Sequence, residues 1–154
     1  MANIFYIDDA LAGENLNLEK KTLKFLQEQM IGSEITGFGT EKEVFHYFFD
    51  FNNPLPDFFI LDHNLWWHKD ECFQYGYEFR YSYQLMRELN LIRGKILTLP
   101  KIIYSDSDMA ETNFRSNNIS YIKFIPKWGE SPWVNLANEV KLSLEPPGGI
   151  EQRR

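Results

Sequence analysis

Five short apolar runs, each followed by a longer segment with helical spacing, constrain this chain of 154 residues more than any other feature. The runs are residues 4–7, 34–38, 58–61, 101–104 and 121–125. Several are apolar at consecutive positions, which suits strands covered on both faces of a parallel sheet rather than strands with one wet face. The segments between them predict helices. Leu16, Leu23, Leu26 and Met30 recur at helical spacing, with Gly32 available for the left-handed position after the helix. Thr40 and Glu43 form a capping box ahead of Val44, Phe45, Phe48 and Phe49. A third helix is predicted over residues 76–93 with Gly94 as its stop. Asp108 and Glu111 resemble a capping box for a fourth. Ser131 followed by Pro132 opens a fifth, which carries Val134, Leu136, Val140 and Leu144. Strands and helices in alternation imply right-handed βαβ units and a doubly wound α/β sheet with helices on both faces.

An apolar share of 44% is enough to bury a core, and the length suits one domain over residues 1–145, with a flexible tail over 146–154. The net charge of −6 gives no general attraction for nucleic acid or anionic membranes. No apolar stretch approaches the roughly 20 residues that span a bilayer, and the start MANIFYIDDA lacks the basic opening of a signal peptide. One cysteine, Cys72, excludes an internal disulfide and suits a reducing, cytoplasmic compartment.

In open α/β sheets ligands bind beyond the carboxyl ends of the strands. Here the first run ends in Asp8-Asp9, the third in Asp62, the fourth in Ser105 and the fifth in Pro126-Lys127. Taken singly, each has an ordinary explanation: an acidic pair caps a helix, a serine fills a turn, a lysine is solvated. Taken together they bring three carboxylates, a hydroxyl and an ammonium to one sheet edge. Crowded carboxylates repel and raise one another's pKa, and a divalent cation relieves that repulsion. Mg²⁺ accepts oxygen ligands and keeps room for phosphoryl oxygens, while a lysine can pair with carboxylate or phosphoryl in turn. The set suits a phosphoryl group carried on a carboxylate oxygen.

On these residues the sequence resembles the CheY-like receiver domains of two-component response regulators. The resemblance runs through NIFYIDDA, PDFFILDHN, KIIYSDSD and YIKFIPK, over residues 3–144, with Gly76-x-Glu78 where that family begins its third helix and 22 residues from Ser105 to Lys127. It implies a five-stranded parallel sheet in the order 2-1-3-4-5. It implies Asp62 as phospho-acceptor, with Asp9 ligating Mg²⁺ (or Mn²⁺) directly and Asp8 mainly through water. Asp62 itself and the backbone carbonyl of Asn64 complete the protein ligands. Ser105 and Lys127 would contact the phosphoryl group, and Phe124 would be the aromatic switch coupled to Ser105. Asn64 and Ser107 occupy positions that tune phosphoryl loss. A histidine kinase or phosphotransfer protein would supply the group to a stand-alone receiver that acts through protein contacts. Such a chain is not a turnover enzyme, apart from catalysing its own phosphorylation and dephosphorylation.

Three features depart from that family. The segment after Asn64 is longer than usual, the region from there to residue 100 is enlarged, and proline precedes Lys127 where the family has it following. These departures motivate an alternative, a receiver-like interaction module that uses no phosphate. A Mg²⁺-dependent aspartyl phosphohydrolase is a further reading, although the haloacid dehalogenase type carries Asp-x-Asp after its first strand. A flavodoxin-like FMN site is disfavoured because Asp8-Asp9 would repel a phosphate. Residues 64–83 hold Trp66, Trp67, His68, Phe73, Tyr75, Tyr77, Phe79, Tyr81 and Tyr83, with His63 just before. Exposed, they would form a surface for a downstream protein; buried, they would cover an enlarged third helix. His63, His68, Cys72 and Asp70 have a spacing that could bind zinc, without the paired motif that such sites use. His46 reads as structural within its phenylalanine-rich helix.

Overall fold

The computed structural model describes residues 1–65, 67 and 80–145. Its sheet contains β1 (Asn3–Ile7), β2 (Glu34–Phe38), β3 (Phe58–Leu61), β4 (Lys101–Ser105) and β5 (Lys123–Pro126). All neighbours pair in parallel, in the order β2-β1-β3-β4-β5. Five helices are described: α1 (Leu18–Gln29), α2 (Glu41–Phe49), α3 (Ser82–Arg93), α4 (Ala110–Ser116) and α5 (Pro132–Leu144).

Alternation along the strands divides the core in two. Ile4, Tyr6, Phe58, Ile60, Ile102 and Tyr104 face α1 and α5, where Leu26, Leu136 and Val140 meet them. Phe5, Ile7, Phe59, Leu61 and Ile103 face the other way, onto Phe45 and Phe48 of α2, Leu85 and Leu89 of α3, and Phe114 of α4. Phe45 and Phe48 are fully buried, and burial of that kind stabilises by about 1.5–3 kcal/mol per side chain. Both sheet faces are covered, so the strands read as continuous apolar runs.

Several local expectations shift. Leu16 lies outside α1 and is exposed; the helix starts after Asn17, whose Oδ1 accepts from the Lys20 amide at 2.9 Å. Thr40 caps α2 as expected, its Oγ1 accepting from the Glu43 amide at 3.2 Å, but the Glu43 carboxylate returns to the Gly39 amide, one residue earlier than a capping box requires. The third helix cannot run unbroken from residue 76, because Tyr81 precedes its first turn in extended form and bridges Asn64. The Gly76–Glu78 element lies outside the described residues. Asp108 caps nothing at α4; the Ser107 hydroxyl accepts from the Met109 amide instead, at 3.3 Å. Ser131 takes a left-handed conformation without a side-chain cap, leaving Pro132 as the start signal for α5, and Val134 faces outward. β5 begins two residues later than the apolar run, since Ile122 is half exposed and its amide bonds the Lys101 carbonyl at 2.7 Å. The tail over residues 146–154 lies outside the described residues.

Candidate functional site

Parallel register brings the ends of β1, β3, β4 and β5 to one edge. Ile7 pairs with Leu61, and Ser105 with Pro126, so Asp8, Asp62, Ser105 and Lys127 all emerge there. Backbone bonds fix the exits: the Asp62 amide donates to the Ile7 carbonyl at 3.1 Å and the Lys127 amide to the Ser105 carbonyl at 2.9 Å. The peptide bond before Pro126 is trans.

Asp8, Asp9 and Asp62 each bring a carboxylate oxygen within 4.8 Å of the others. Asp8 and Asp62 are buried and Asp9 is half-buried. Asp8 also caps the short 3-10 turn Asp9–Leu11, accepting from the Ala10 amide at 3.0 Å. Burial, then the charge of Asp62, holds the Asp8 carboxyl well above the ordinary carboxylate range, against the pull of Lys127. Burial likewise raises Asp62, countered by Lys127, by the Ser105 hydroxyl and by the His63 amide that Asp62 Oδ1 accepts at 2.8 Å. This donor set, oxygen only and short of positive charge, fits a hard divalent cation such as Mg²⁺ or Mn²⁺.

The Lys127 ammonium lies among the carboxylates, 2.7 Å from Asp8 Oδ2, 3.2 Å from Glu19 Oε2 and 3.4 Å from Asp62 Oδ2. These neighbours outweigh its burial and raise its pKa above the usual lysine value. Sequence reasoning did not find Glu19, nor the two tyrosines that complete the surroundings. Tyr6 donates its hydroxyl to Asp8 Oδ2 at 3.3 Å, and the ammonium sits 5.5 Å from the centre of the Tyr104 ring. Tyr6 was legible in principle: it stands two residues before Asp8 on one strand, hence on the same face.

The remaining expected residues are placed as follows. Ser105 is fully buried and its Oγ accepts from the Ser107 amide at 3.1 Å, so the expected hydroxyl and the expected tuning residue are tied together. Phe124 is half-buried, two positions before the partner of Ser105 in the β4–β5 register, with its ring 5.9 Å from that of Trp128. Asn64 is half-buried at the bridge to Tyr81, which is held by the Leu65 amide on the Arg80 carbonyl at 2.7 Å and the Ser82 amide on the His63 carbonyl at 2.9 Å. This bridge holds residues 63–65 against residues 80–82 beside Asp62.

Of the aromatic segment, the described members pack inward. Trp67 belongs to the core and donates Nε1–H to the Gly39 carbonyl at 3.0 Å, while Tyr81 and Tyr83 are half-buried in a stack with the buried His63. Trp66, His68, Phe73, Tyr75, Tyr77 and Phe79 lie outside the described residues. So do Asp70 and Cys72 of the zinc combination, while Nε2 of its first member, His63, pairs with the Asn113 side-chain amide at 3.0 Å. His46 is exposed on α2, where it lines an open groove with Lys42 and Asp50, so its expected structural role does not hold.

The fold has counterparts among solved structures. A CheY-like response regulator receiver domain protein from Methanospirillum hungatei superposes with a TM-score of 0.60 at 16% identity, over 94% of each chain. A response regulator receiver domain from Rhodospirillum rubrum gives 0.62 at 14% identity, over 94% of this chain and 96% of that one. The Mn²⁺-bound form of the response regulator Rcp1 gives 0.61 at 11% identity, over 92% of each. No protein-family model matches the chain, and no curated protein matches its sequence. The chain has the CheY-like receiver fold, with the flavodoxin-like strand order. Among the described residues, no helix is long and apolar enough to cross a membrane.

Proposed function

We propose that residues 1–145 form a phospho-accepting receiver, with Asp62 the acceptor and Asp8, Asp9, Asp62 and the Asn64 carbonyl the ligands of Mg²⁺. One observation carries this reading: a buried carboxylate, Asp62, shares its sheet edge with two further carboxylates, a buried serine and a lysine 3.4 Å away. The phosphodonor is a phosphohistidine on a kinase or a phosphotransfer protein. An Asp62 oxygen attacks phosphorus, the O–P bond forms as the N–P bond breaks, and the electron pair stays on the imidazole nitrogen. Lys127 neutralises charge on the transferring group, and the Ser105 hydroxyl donates to one of its oxygens after releasing Asp62. Bound Mg²⁺ supplies positive charge to the phosphoryl oxygens and offsets the repulsion among the aspartates.

Ser105 and Phe124 form the bistable pair, with Asn64 and Ser107 setting how readily water reaches the phosphoryl group. The product is a changed surface for a downstream protein rather than a released metabolite, so the chain is no turnover enzyme beyond its own phosphorylation and dephosphorylation. The net charge of −6 argues against nucleic acid as the partner. The setting we propose is the cytoplasm, which the lone cysteine suits.

Titration with Mg²⁺ and then beryllofluoride, followed by tryptophan fluorescence, tests the reading. Trp128 adjoins Lys127, and Trp67 is bonded to the loop end at Gly39. A saturable response that needs Mg²⁺ and disappears in Asp62→Asn is expected. A folded protein with no response would support the module that uses no phosphate.

A further inference from the structure

Lys127 has a third anionic neighbour that the three-aspartate group does not include. Glu19 Oε2 stands 3.2 Å from the ammonium, and its side chain is 14% exposed, so the contact is largely shielded from water. Glu19 occupies the first turn of α1, and its position is set rather than incidental. Asn17, the residue capping α1, also donates its side-chain amide to the Ala10 carbonyl at 2.6 Å, which ties the start of the helix to the turn after Asp9. The Tyr104 ring also lies 5.5 Å from the ammonium, with the Tyr104 hydroxyl 3.4 Å from Thr22 Oγ1 of α1. One helix therefore positions both a carboxylate and, through Thr22, an aromatic face against the lysine. Asp62 is the most distant of the three carboxylates that the ammonium touches.

A single ammonium cannot serve all these groups equally. A phosphoryl group on Asp62 needs that charge close to it, and each ångström by which Glu19 and Tyr104 hold it back weakens the attraction. We propose that Glu19, with the Tyr104 ring, forms a resting seat for Lys127 that competes with a phosphoryl group on Asp62 for the ammonium. Glu19 is thus a positioning residue, acting through the lysine. The inference rests on the receiver reading given above.

The test is a double-mutant cycle read by beryllofluoride affinity at saturating Mg²⁺, using the full chain with Glu19→Gln, Lys127→Gln and both. Glu19→Gln alone is expected to tighten beryllofluoride binding about fivefold, the factor that loss of a well-formed, partly screened ion pair supplies. In the Lys127→Gln background the same substitution is expected to change affinity by less than about twofold, the scatter of independent sites. Equal tightening in both backgrounds would mean that Glu19 acts as a bulk charge, and would overturn the seat. An unchanged or weakened affinity in Glu19→Gln would overturn it as well, while leaving the receiver reading intact. Absence of any beryllofluoride response in folded wild-type protein would overturn the receiver reading and the competition together. A second measurement needs no ligand: the Lys127 ammonium is expected to give a resolved, slowly exchanging ¹⁵N signal in the wild type that broadens in Glu19→Gln, and an unaltered signal would contradict the seat.

Discussion

The Lys127 ammonium lies 2.7 Å from Asp8 Oδ2 but 3.4 Å from Asp62 Oδ2. At rest the lysine leans toward the proposed metal ligand rather than toward the proposed phospho-acceptor. It therefore stands in for a cation, offsetting repulsion that would otherwise raise both carboxyl groups further. Lys127→Gln removes that competitor, so Mg²⁺ is expected to bind about fivefold more tightly, while beryllofluoride binds more weakly for want of the ammonium. Calorimetric titration with each ligand checks both directions; Mg²⁺ binding weakened by the substitution would contradict the account.

The aspartates also predict a pH dependence of folding. Asp8 and Asp62 are both raised in the folded protein, by burial first. A carboxyl whose folded pKa exceeds its unfolded value of about 4 binds more protons when folded, so its contribution is complete below that value and is lost as pH rises through the folded pKa. In metal-free protein the two aspartates thus lower stability as pH rises from about 5 to neutral, against the opposite contribution of His63, whose pKa burial lowers. Asp62→Asn or added Mg²⁺ should lessen that loss. A variant whose melting temperature keeps the full wild-type pH slope would count against the pair as its source.

Gly39 follows β2 and lies against the turn that carries Asp9. A Cβ there would meet the Ala12 nitrogen at 2.3 Å and the Leu11 carbonyl carbon at 2.7 Å, both backbone atoms. Gly39→Ala is expected to cost about 1–3 kcal/mol of stability and to weaken Mg²⁺ binding by displacing Asp9. Gly37→Ala is the control, since its Cβ meets only side-chain ends, those of Leu23 at 2.7 Å and Leu11 at 3.1 Å. Urea unfolding of the two variants should separate them, and equal midpoints would contradict the close approach at Gly39.

Lys101 is a fully buried cation away from the site. Its ammonium donates to the carbonyls of Ile96, Leu97 and Leu99 at 2.8, 3.0 and 2.6 Å, closing the 3-10 turn that precedes β4. Burial lowers its pKa to about 8, which leaves it mainly charged at neutral pH. Lys101→Met keeps the volume but removes three hydrogen bonds, of which only the one to Ile96 leaves its carbonyl with another donor, the Leu99 amide, and is expected to destabilise by about 2–4 kcal/mol. A chemical-denaturation midpoint like that of the wild type would show the bonds to be dispensable.

β1, β3 and β4 were legible because strands covered on both faces need apolar residues at nearly every position, whereas β2, at the sheet edge, shows only Ile35 and Phe38 buried. β5 was legible only roughly: Tyr121 and Ile122 extend its apolar run, yet they precede the ladder, and Ile122 is half exposed. Asp8, Asp9, Asp62, Ser105 and Lys127 could be read because each directly follows, or ends, a strand, and parallel strands deliver such positions to one edge. Glu19 could not be read in the same way. It lies ten residues after Asp9 and looks like any charge on an amphipathic helix; only the path of residues 12–17 and the anchoring of Asn17 to Ala10 bring it to Lys127. The Asp108 cap failed because the helix starts at Ala110 with Met109 in the capping position, one residue later than that box requires. Trp67 reads equally as exposed or as core from its charged and aromatic neighbours, and what decides it is its indole nitrogen meeting the carbonyl of Gly39, across the fold.

The central claim is that Asp62 takes up a phosphoryl group, and its most direct test is mass. Wild-type protein incubated with Mg²⁺ and a small-molecule donor such as acetyl phosphate is expected to gain one phosphoryl group, labile to hydroxylamine and mapped to the peptide containing Asp62, and Asp62→Asn is expected to gain none. A label that persists in Asp62→Asn on another residue, or no label on folded wild-type protein with Mg²⁺ bound, would contradict the account.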